Sequence, residues 1–420
     1  MSHDRSAPLP LAGVRVVEFA HMVMGPSCGL VLADLGAEVI KIEPLAGDST
    51  RRLPGAGAGF FGMFNRNKQS VAVDVHTPEG HAIVTKLIAT ADIVTENFRP
   101  GSMAKLGFDY ASLAPSHPRL VYVSHKGFLP GPYESRTALD EVVQMMGGLA
   151  YMTGPEGRPL RAGTSVNDIM GGMFGAIGAI AALRERDRTG KGQEVQAGLF
   201  ENNVFLVGIH MLQYAVTGTP APPMPSRISA WGIYDVFTVR DGATIFLAVV
   251  SDGQWTSFCN AFDLADLNAD ARLATNRDRV HARDWLIPVL RERFSTRAVD
   301  EVARTFERHG LPYARIARPH DLYDDPHLLA SGGLAPLEIP ADGSPADRAI
   351  HTRVPLLPVV MDDARLTVRS HPPALGADTA RVLSALGYSA AAIETLAAAG
   401  TVHVAPDDGR ATGGAAAAPS

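Results

Sequence analysis

The chain has 420 residues, 46% hydrophobic and 20% charged, which is the balance of a globular protein rather than a disordered or fibrous one. That length exceeds one ordinary core and predicts two domains. A formal charge of −6 argues against a nucleic-acid-binding surface, and the longest apolar run, Ile169 to Leu183, is too short for a membrane helix.

The polar start, Met1 to Arg5, has no signal-peptide core. Two cysteines, Cys28 and Cys259, lie in apolar surroundings without metal-ligand spacing and read as reduced core residues of a cytoplasmic protein. Val14 to Ala20 is a predicted strand, Pro26 to Leu35 a helix, and Glu38 to Glu43 a second strand. Ser70 to Val75 is a third, followed by a helix from Thr77-Pro78 to about Ala91; Asp92 to Phe98 and Leu120 to His125 complete the series. Strands alternating with helices imply a parallel sheet, a Rossmann-like α/β layer, with ligands beyond the carboxyl ends of its strands. Those ends carry His21-Met22, Glu43-Pro44, His76, Asn97-Phe98 and His125-Lys126. No G-x-G-x-x-G follows the first strand, which disfavours nucleotide-dependent hydride transfer.

Four prolines between Pro220 and Pro225 mark a linker. Beyond them Tyr234 to Ala248 reads as a hairpin with an Asp241-Gly242 turn, and helices follow from Gln254 to about Leu311, giving a small α+β domain. Asp378 to Ala399 is helix-rich, and the tail from Pro406 has the composition of a disordered segment.

Within the first domain one acidic residue stands alone among small and apolar neighbours. In Gly163-Thr164-Ser165-Val166-Asn167-Asp168-Ile169-Met170-Gly171-Gly172, Asp168 precedes a small-residue helix pattern, Met173 to Leu183. Unpaired N–H groups and the dipole at such a helix start would keep it ionised at neutral pH, and the glycines would let a large ligand approach. An ionised, desolvated carboxylate is a nucleophile; a helix N-cap is the other reading of the same residue. The 14 histidines show no H-x-x-x-H or H-E-x-x-H pattern, so no metal site is expected.

Leu11-Ala12-Gly13-Val14-Arg15-Val16-Val17-Glu18, Gly25-Pro26, Leu32-Ala33-Asp34-Leu35-Gly36-Ala37-Glu38-Val39-Ile40-Lys41-Ile42-Glu43, Asn65-Arg66-Asn67-Lys68 and Glu96-Asn97-Phe98-Arg99-Pro100-Gly101 together resemble the class III CoA-transferases. This is the family of formyl-CoA transferase and carnitine CoA-transferase, related to α-methylacyl-CoA racemase. The likeness continues through Gly190-Lys191-Gly192-Gln193, Trp255, Asp325-Pro326-His327, Leu383 and Gly387-Tyr388, and so covers roughly residues 10 to 400.

The resemblance implies a large Rossmann-like CoA-binding domain over 1–220, a small α+β domain over 221–330, and a return to the large domain over 331–405, with 406–420 as tail. It also implies an interlocked ring-like homodimer. Asp168 falls at the family's nucleophile. Its carboxylate would attack an acyl-CoA thioester to give an aspartyl anhydride, then an aspartyl–CoA thioester, and the acceptor acid would reverse the sequence without ATP, metal or a resident cofactor. CoA contacts carry over to His21, Met22, Val23, Met24, Val73, His76, Asn97, Phe98, Arg99 and Lys105. Val23 stands where a Gln is found in the family, His76 where a Lys is, and Lys105 where an Arg is. Pro44 replaces a basic residue, with Arg51 or Arg52 as substitutes for its charge.

A solvated surface charge is the other reading of His76 and Lys105. Asp140 matches an acidic residue near the family's site and is either a substrate contact or a structural cap. Racemases pair their Asp with a His immediately before the Asp140 position; here that residue is Leu139, which cannot carry a proton. The glycine loop of formyl-CoA transferase is absent, so oxalate and formate are disfavoured. Lys126, Arg136 and Arg227 are cations suited to the distal carboxylate of a dicarboxylic acid, which suggests a succinyl-CoA-type donor and a small dicarboxylate acceptor. The remaining alternatives are an isomerase on the same fold and a non-catalytic CoA-binding protein. The glycine-rich stretch Pro54 to Phe61 is either a loop near the site or a plain surface connection.

Overall fold

The structure, a computed structural model, describes residues 8–406 except Ile228. These divide into two compact units, residues 8–224 with 326–406 and residues 225–325.

The larger unit is built on one sheet. Its strands are β1 (Arg15–Phe19), β2 (Glu38–Glu43), β3 (Lys68–Val73), β4 (Ile93–Glu96), β5 (Val121–Lys126) and β6 (Glu194–Gly198). They lie side by side in the order β3-β2-β1-β4-β5-β6, all parallel, and the short strand Val402–His403 adds antiparallel to β3. Val17 sits between Ile40 and Val94 in register, and all three are buried. Buried β-branched residues at the centre of adjacent strands suit a sheet covered on both faces. The order reverses between β1 and β4, so a crevice opens beyond their carboxyl ends.

Two helices cover one face of the sheet. They are α1 (Met24–Asp34) and α4 (Val166–Thr189), in a series that also has α2 (Pro78–Ile88), α3 (Asp140–Met146) and α5 (Leu199–Thr217). Thr77 caps α2 by accepting from the Gly80 N–H, with Pro78 in the first turn.

In α4 the glycines serve packing, not ligand approach as the sequence suggested. A Cβ at Gly171 would overlap the Met24 side chain, one at Gly172 the Met24 carbonyl, and one at Gly175 the His125 ring. The missing side chains let α4 lie directly on α1 and on β5. At 24 residues α4 is also longer than the run read from the sequence, because its polar last turns, Arg184 to Thr189, continue the helix. Among the described residues it is the one helix long and apolar enough to cross a membrane, a test that the core helix of a globular protein also passes. Here Ala176, Ala179, Ala182 and Leu183 pack into the core with Cys28 and Leu32.

Several charged side chains are buried in this sheet and are paired. Lys68 donates to Glu18 at 2.8 Å, Lys41 meets Asp48 at 2.9 Å, and Arg51 meets Glu43 at 2.7 Å. Arg66 and Asn67 both reach Asp34.

The smaller unit holds an antiparallel hairpin, Ile233–Thr238 with Thr244–Val249, extended by Tyr313–Arg315. Its turn is wider than the two-residue form expected: Val239 donates to the Ala243 carbonyl, and a helical turn, Arg240–Gly242, lies between. Helices carrying Phe258, Phe262, Phe294 and Phe306 pack a ring cluster against it. Two helices, Thr379–Ala385 and Ala390–Ala398, close the chain, and the tail beyond Pro406 lies outside the described residues.

Candidate active site

The loop after β1, residues 20–23, lies at the sheet's switch point and touches two cavities. Met22 adopts a left-handed φ of 63°, a strained conformation for a non-glycine residue that marks sites where the surroundings enforce geometry. Two contacts hold the loop. Lys41, buried under it, donates to the Ala20 carbonyl. Asn97 accepts from the His21 N–H at 3.0 Å and donates to the His21 carbonyl at 2.8 Å. Asn97 thus clamps the backbone of the loop on both sides of His21.

The first cavity, about 870 Å³, opens beyond β1 to β4 and is lined by His21, Val73, His76, Phe98, Arg99 and Lys105 among others. His21 stacks on Phe98 with ring centroids 5.6 Å apart. Burial lowers the His21 pKa below its usual value, so the ring is neutral at pH 7. His76, Arg99 and Lys105 are exposed and bring three basic side chains to the rim. Arg51 does not join them. It is buried, forked onto Glu43 and stacked over Phe61, while Arg52 points to solvent near Asp347.

The second cavity, about 560 Å³, is lined by Val23 from the loop, by Ala56, Gly59, Phe60, Met63 and Phe64, and by Arg161 to Ser165 with Ile169. The glycine-rich segment thus forms one wall. Met24 does not line it: its side chain is buried in the core against Gly171.

Asp168 is the third residue of α4, flanked by the cavity residues Ser165 and Ile169. It does not cap the helix. Asp140, at the start of α3, does so instead, and its Oδ2 accepts from the backbone N–H of Asn167 at 2.8 Å and of Asp168 at 3.2 Å. Gln144 donates to the other Asp140 oxygen, and Arg161 lies 3.6 Å from it. This arrangement overturns the expectation that the helix terminus keeps Asp168 ionised. The orphan N–H groups are taken by Asp140, so Asp168 has burial and a neighbouring negative charge instead of donors. Burial, then Asp140, push its pKa up to about 7, while the Arg161 charge opposes the rise.

The remaining predicted cations are elsewhere. Lys126 pairs with Glu96 at 3.3 Å. Arg136 is exposed, over the rings of Tyr133 and Phe128. Arg227 belongs to the smaller unit. Arg161 was not singled out from the sequence. Its signal is weak, one arginine in a Gly/Pro-rich loop two residues before Gly163, and only the fold brings it beside Asp140 and Asp168.

A parallel sheet whose switch-point loop borders a basic-rimmed cavity and a second, smaller cleft has the ligand-binding architecture of the α/β class. Residues 11–379 match the sequence profile of CoA-transferase family III, and the chain is a CoA-transferase of that family. It is 33% identical over 390 residues to succinate–glutarate CoA-transferase of Agrobacterium fabrum, covering 90% of this chain and 96% of that protein. It is 32% identical over 402 residues to human succinyl-CoA:glutarate CoA-transferase, covering 94% and 90%. The crystal structure of a CaiB/BaiF family protein from Brucella suis superposes with a TM-score of 0.80 at 32% identity, covering 90% of this chain and all of that one.

Proposed function

We propose that the protein moves CoA from a succinyl-CoA-type donor to a small dicarboxylic acid, with Asp168 as the covalent carrier. The observation that carries this reading is a carboxylate with no capping duty, in the helix turn whose Ser165 and Ile169 line the cleft, in a chain whose relatives named above act on succinate and glutarate.

In the proposed sequence an Asp168 oxygen attacks the thioester carbonyl carbon, the C–S bond breaks, and CoA leaves as thiolate. The product is a mixed anhydride. The thiolate then attacks the aspartyl carbonyl, releasing the donor acid and leaving an aspartyl–CoA thioester. The acceptor carboxylate attacks that thioester, and the thiolate returns to the acceptor's acyl carbon, freeing Asp168. Each step replaces one activated acyl bond with another, which is the advantage of covalent catalysis. With a pKa near 7 the carboxylate is a stronger base than an ordinary aspartate yet is half ionised at neutral pH.

CoA lies, on this reading, along the loop that touches both cavities. Its phosphates meet His76, Arg99 and Lys105, its adenine meets the Phe98–His21 shelf, and its thiol end passes Val23 toward Asp168. Screening acceptor acids with succinyl-CoA tests the substrate class: turnover with glutarate or succinate is expected, and turnover only with monocarboxylic or bulky acids would reject it.

The active species is proposed to be a homodimer, interlocked as in the family it belongs to. Phe205, Ile209, Leu212 and Val216 form one stripe along α5 and are 70, 71, 67 and 84% exposed. Phe174 of α4 adds to the patch through an edge contact with Phe205. An apolar stripe of that size marks a protein interface, and light scattering of the purified chain is expected to return twice its mass.

A further inference from the structure

We propose that Arg161 selects dicarboxylate substrates by pairing its guanidinium with the carboxylate at the non-reacting end of the acid. This rests on the dicarboxylate reading above.

The cleft lined by Ser165 and Ile169 of the Asp168 turn is walled mainly by apolar side chains, Phe60, Met63, Phe64 and Ile169, with Thr164 and Ser165 as its neutral polar groups and Gly59 and Gly163 leaving room between them. Among the described residues lining it, Arg161 alone carries a charge. An apolar slot with a single charged group recognises a ligand that is mostly hydrocarbon with one opposite charge. A short dicarboxylate whose other end is engaged as thioester or attacking carboxylate has that form.

Arg161 is also available. It touches Asp140 at 3.6 Å and Glu141 at 3.4 Å, and its side chain is 37% exposed. Arg51 and Arg66, by contrast, are buried and held at 2.7 Å by Glu43 and Asp34. The Arg161 Nε–H donates to the Ala162 carbonyl at 3.2 Å, and the long contacts to the two carboxylates leave part of the Nη donor set for a ligand. The other cations considered for this role do not line the cleft: Lys126 is tied to Glu96 and Arg136 lies over Tyr133. The chain segment 162–165, which also lines the cleft, joins Arg161 to the turn that bears Asp168. One short segment therefore carries both the group that reacts with one end of the substrate and the group that reads the other.

Removing Arg161 also removes a charge that acts on Asp168, so loss of activity alone does not separate selectivity from tuning of the carboxylate. The comparison of two acceptors does. The enzyme alternates between free and CoA-loaded forms, so kcat/KM for the acceptor reports only the acceptor half-reaction, and any effect on Asp168 is common to all acceptors. Glutarate and pentanoate, equal in chain length and differing by one carboxylate, are compared with succinyl-CoA as donor on the full-length enzyme. For Arg161→Ala, kcat/KM for glutarate is expected to fall roughly 10- to 100-fold relative to that for pentanoate. Arg161→Lys, which keeps the charge without the fork, is expected to lose about a third to a half of that discrimination on a logarithmic scale.

Equal losses on both acids in the two variants, or undiminished preference for glutarate in both, would overturn the assignment of Arg161 while leaving the dicarboxylate reading intact. A wild-type enzyme that does not prefer glutarate over pentanoate would overturn the dicarboxylate reading itself, and this inference with it.

Discussion

The two cavities served by the β1 loop are built for opposite tasks. The nucleotide-sized one has exposed cations at its rim and an aromatic shelf, His21 on Phe98. The cleft lined by the Asp168 turn is smaller and mostly apolar with one guanidinium, and Asp168 in that turn is a carboxylate whose neighbouring N–H groups are taken by Asp140. The first resembles a handle and the second a reaction vessel. Binding energy gained at a remote, non-reacting part of a substrate can be used to hold a reactive group in a site where its charge is unfavourable. Losing a residue of the first cavity is therefore expected to weaken binding, and losing one at the second to slow chemistry.

The largest effect expected is at the carboxylate. Asp168→Asn removes the attacking oxygen's charge and is expected to lower kcat by at least about 10⁴-fold with little change in CoA affinity. A loss confined to KM would erase the distinction between the cavities.

The pH profile comes next. On the proposed mechanism Asp168 attacks as the ionised carboxylate, and burial and Asp140 push its pKa up to about 7, so kcat is expected to fall about tenfold per pH unit below 7 and to level off above about pH 8. The same shift has a stability consequence of opposite sense. A carboxyl whose pKa is raised by folding is bound more tightly to its proton in the native state, so stability falls as pH rises from about 4 to 7. Asp168→Asn lacks that penalty and is expected to have a higher Tm than wild type at pH 8, by a few degrees, with the difference vanishing near pH 4.

At the rim, Lys105→Ala or His76→Ala is expected to raise KM for acyl-CoA about three- to tenfold at low salt with kcat nearly unchanged. A kcat effect would place these residues in the reaction instead.

The smallest change expected comes from Asp140→Asn, which keeps the caps to Asn167 and Asp168 but removes the charge that raises the Asp168 pKa. The acid limb of the profile should move to lower pH by about one unit or less.

The parts of the molecule legible in the sequence were those with local causes. β1, β2, β4 and β5 announce themselves because runs such as Val14 to Ala20 are rich in β-branched and other apolar residues, as a two-sided buried strand requires, although Arg15 and Glu18 interrupt that one. β3 begins two residues earlier than read, at Lys68, because that lysine is buried on Glu18, a partner 50 positions away. β6, Glu194-Val195-Gln196-Ala197-Gly198, gave no signal: it is a short edge strand with only its last residues buried. Asp168 stood out by its apolar context, but its electrostatics were read with the wrong sign. The residue that occupies the helix N–H groups, Asp140, is 28 positions upstream and reaches them only through the packing of α3. The glycines of α4 were visible, but whether they admit a ligand or a helix depends on α1, which no pattern within α4 reveals.

The central claim is that CoA rides on one carboxylate. Incubating the enzyme with succinyl-CoA alone and measuring intact mass tests it most directly. The mass should increase by one CoA less one water, the adduct should map to Asp168, hydroxylamine should remove it, and Asp168→Asn should not form it. An adduct on any other residue, or turnover by Asp168→Asn at the wild-type rate, would contradict the account.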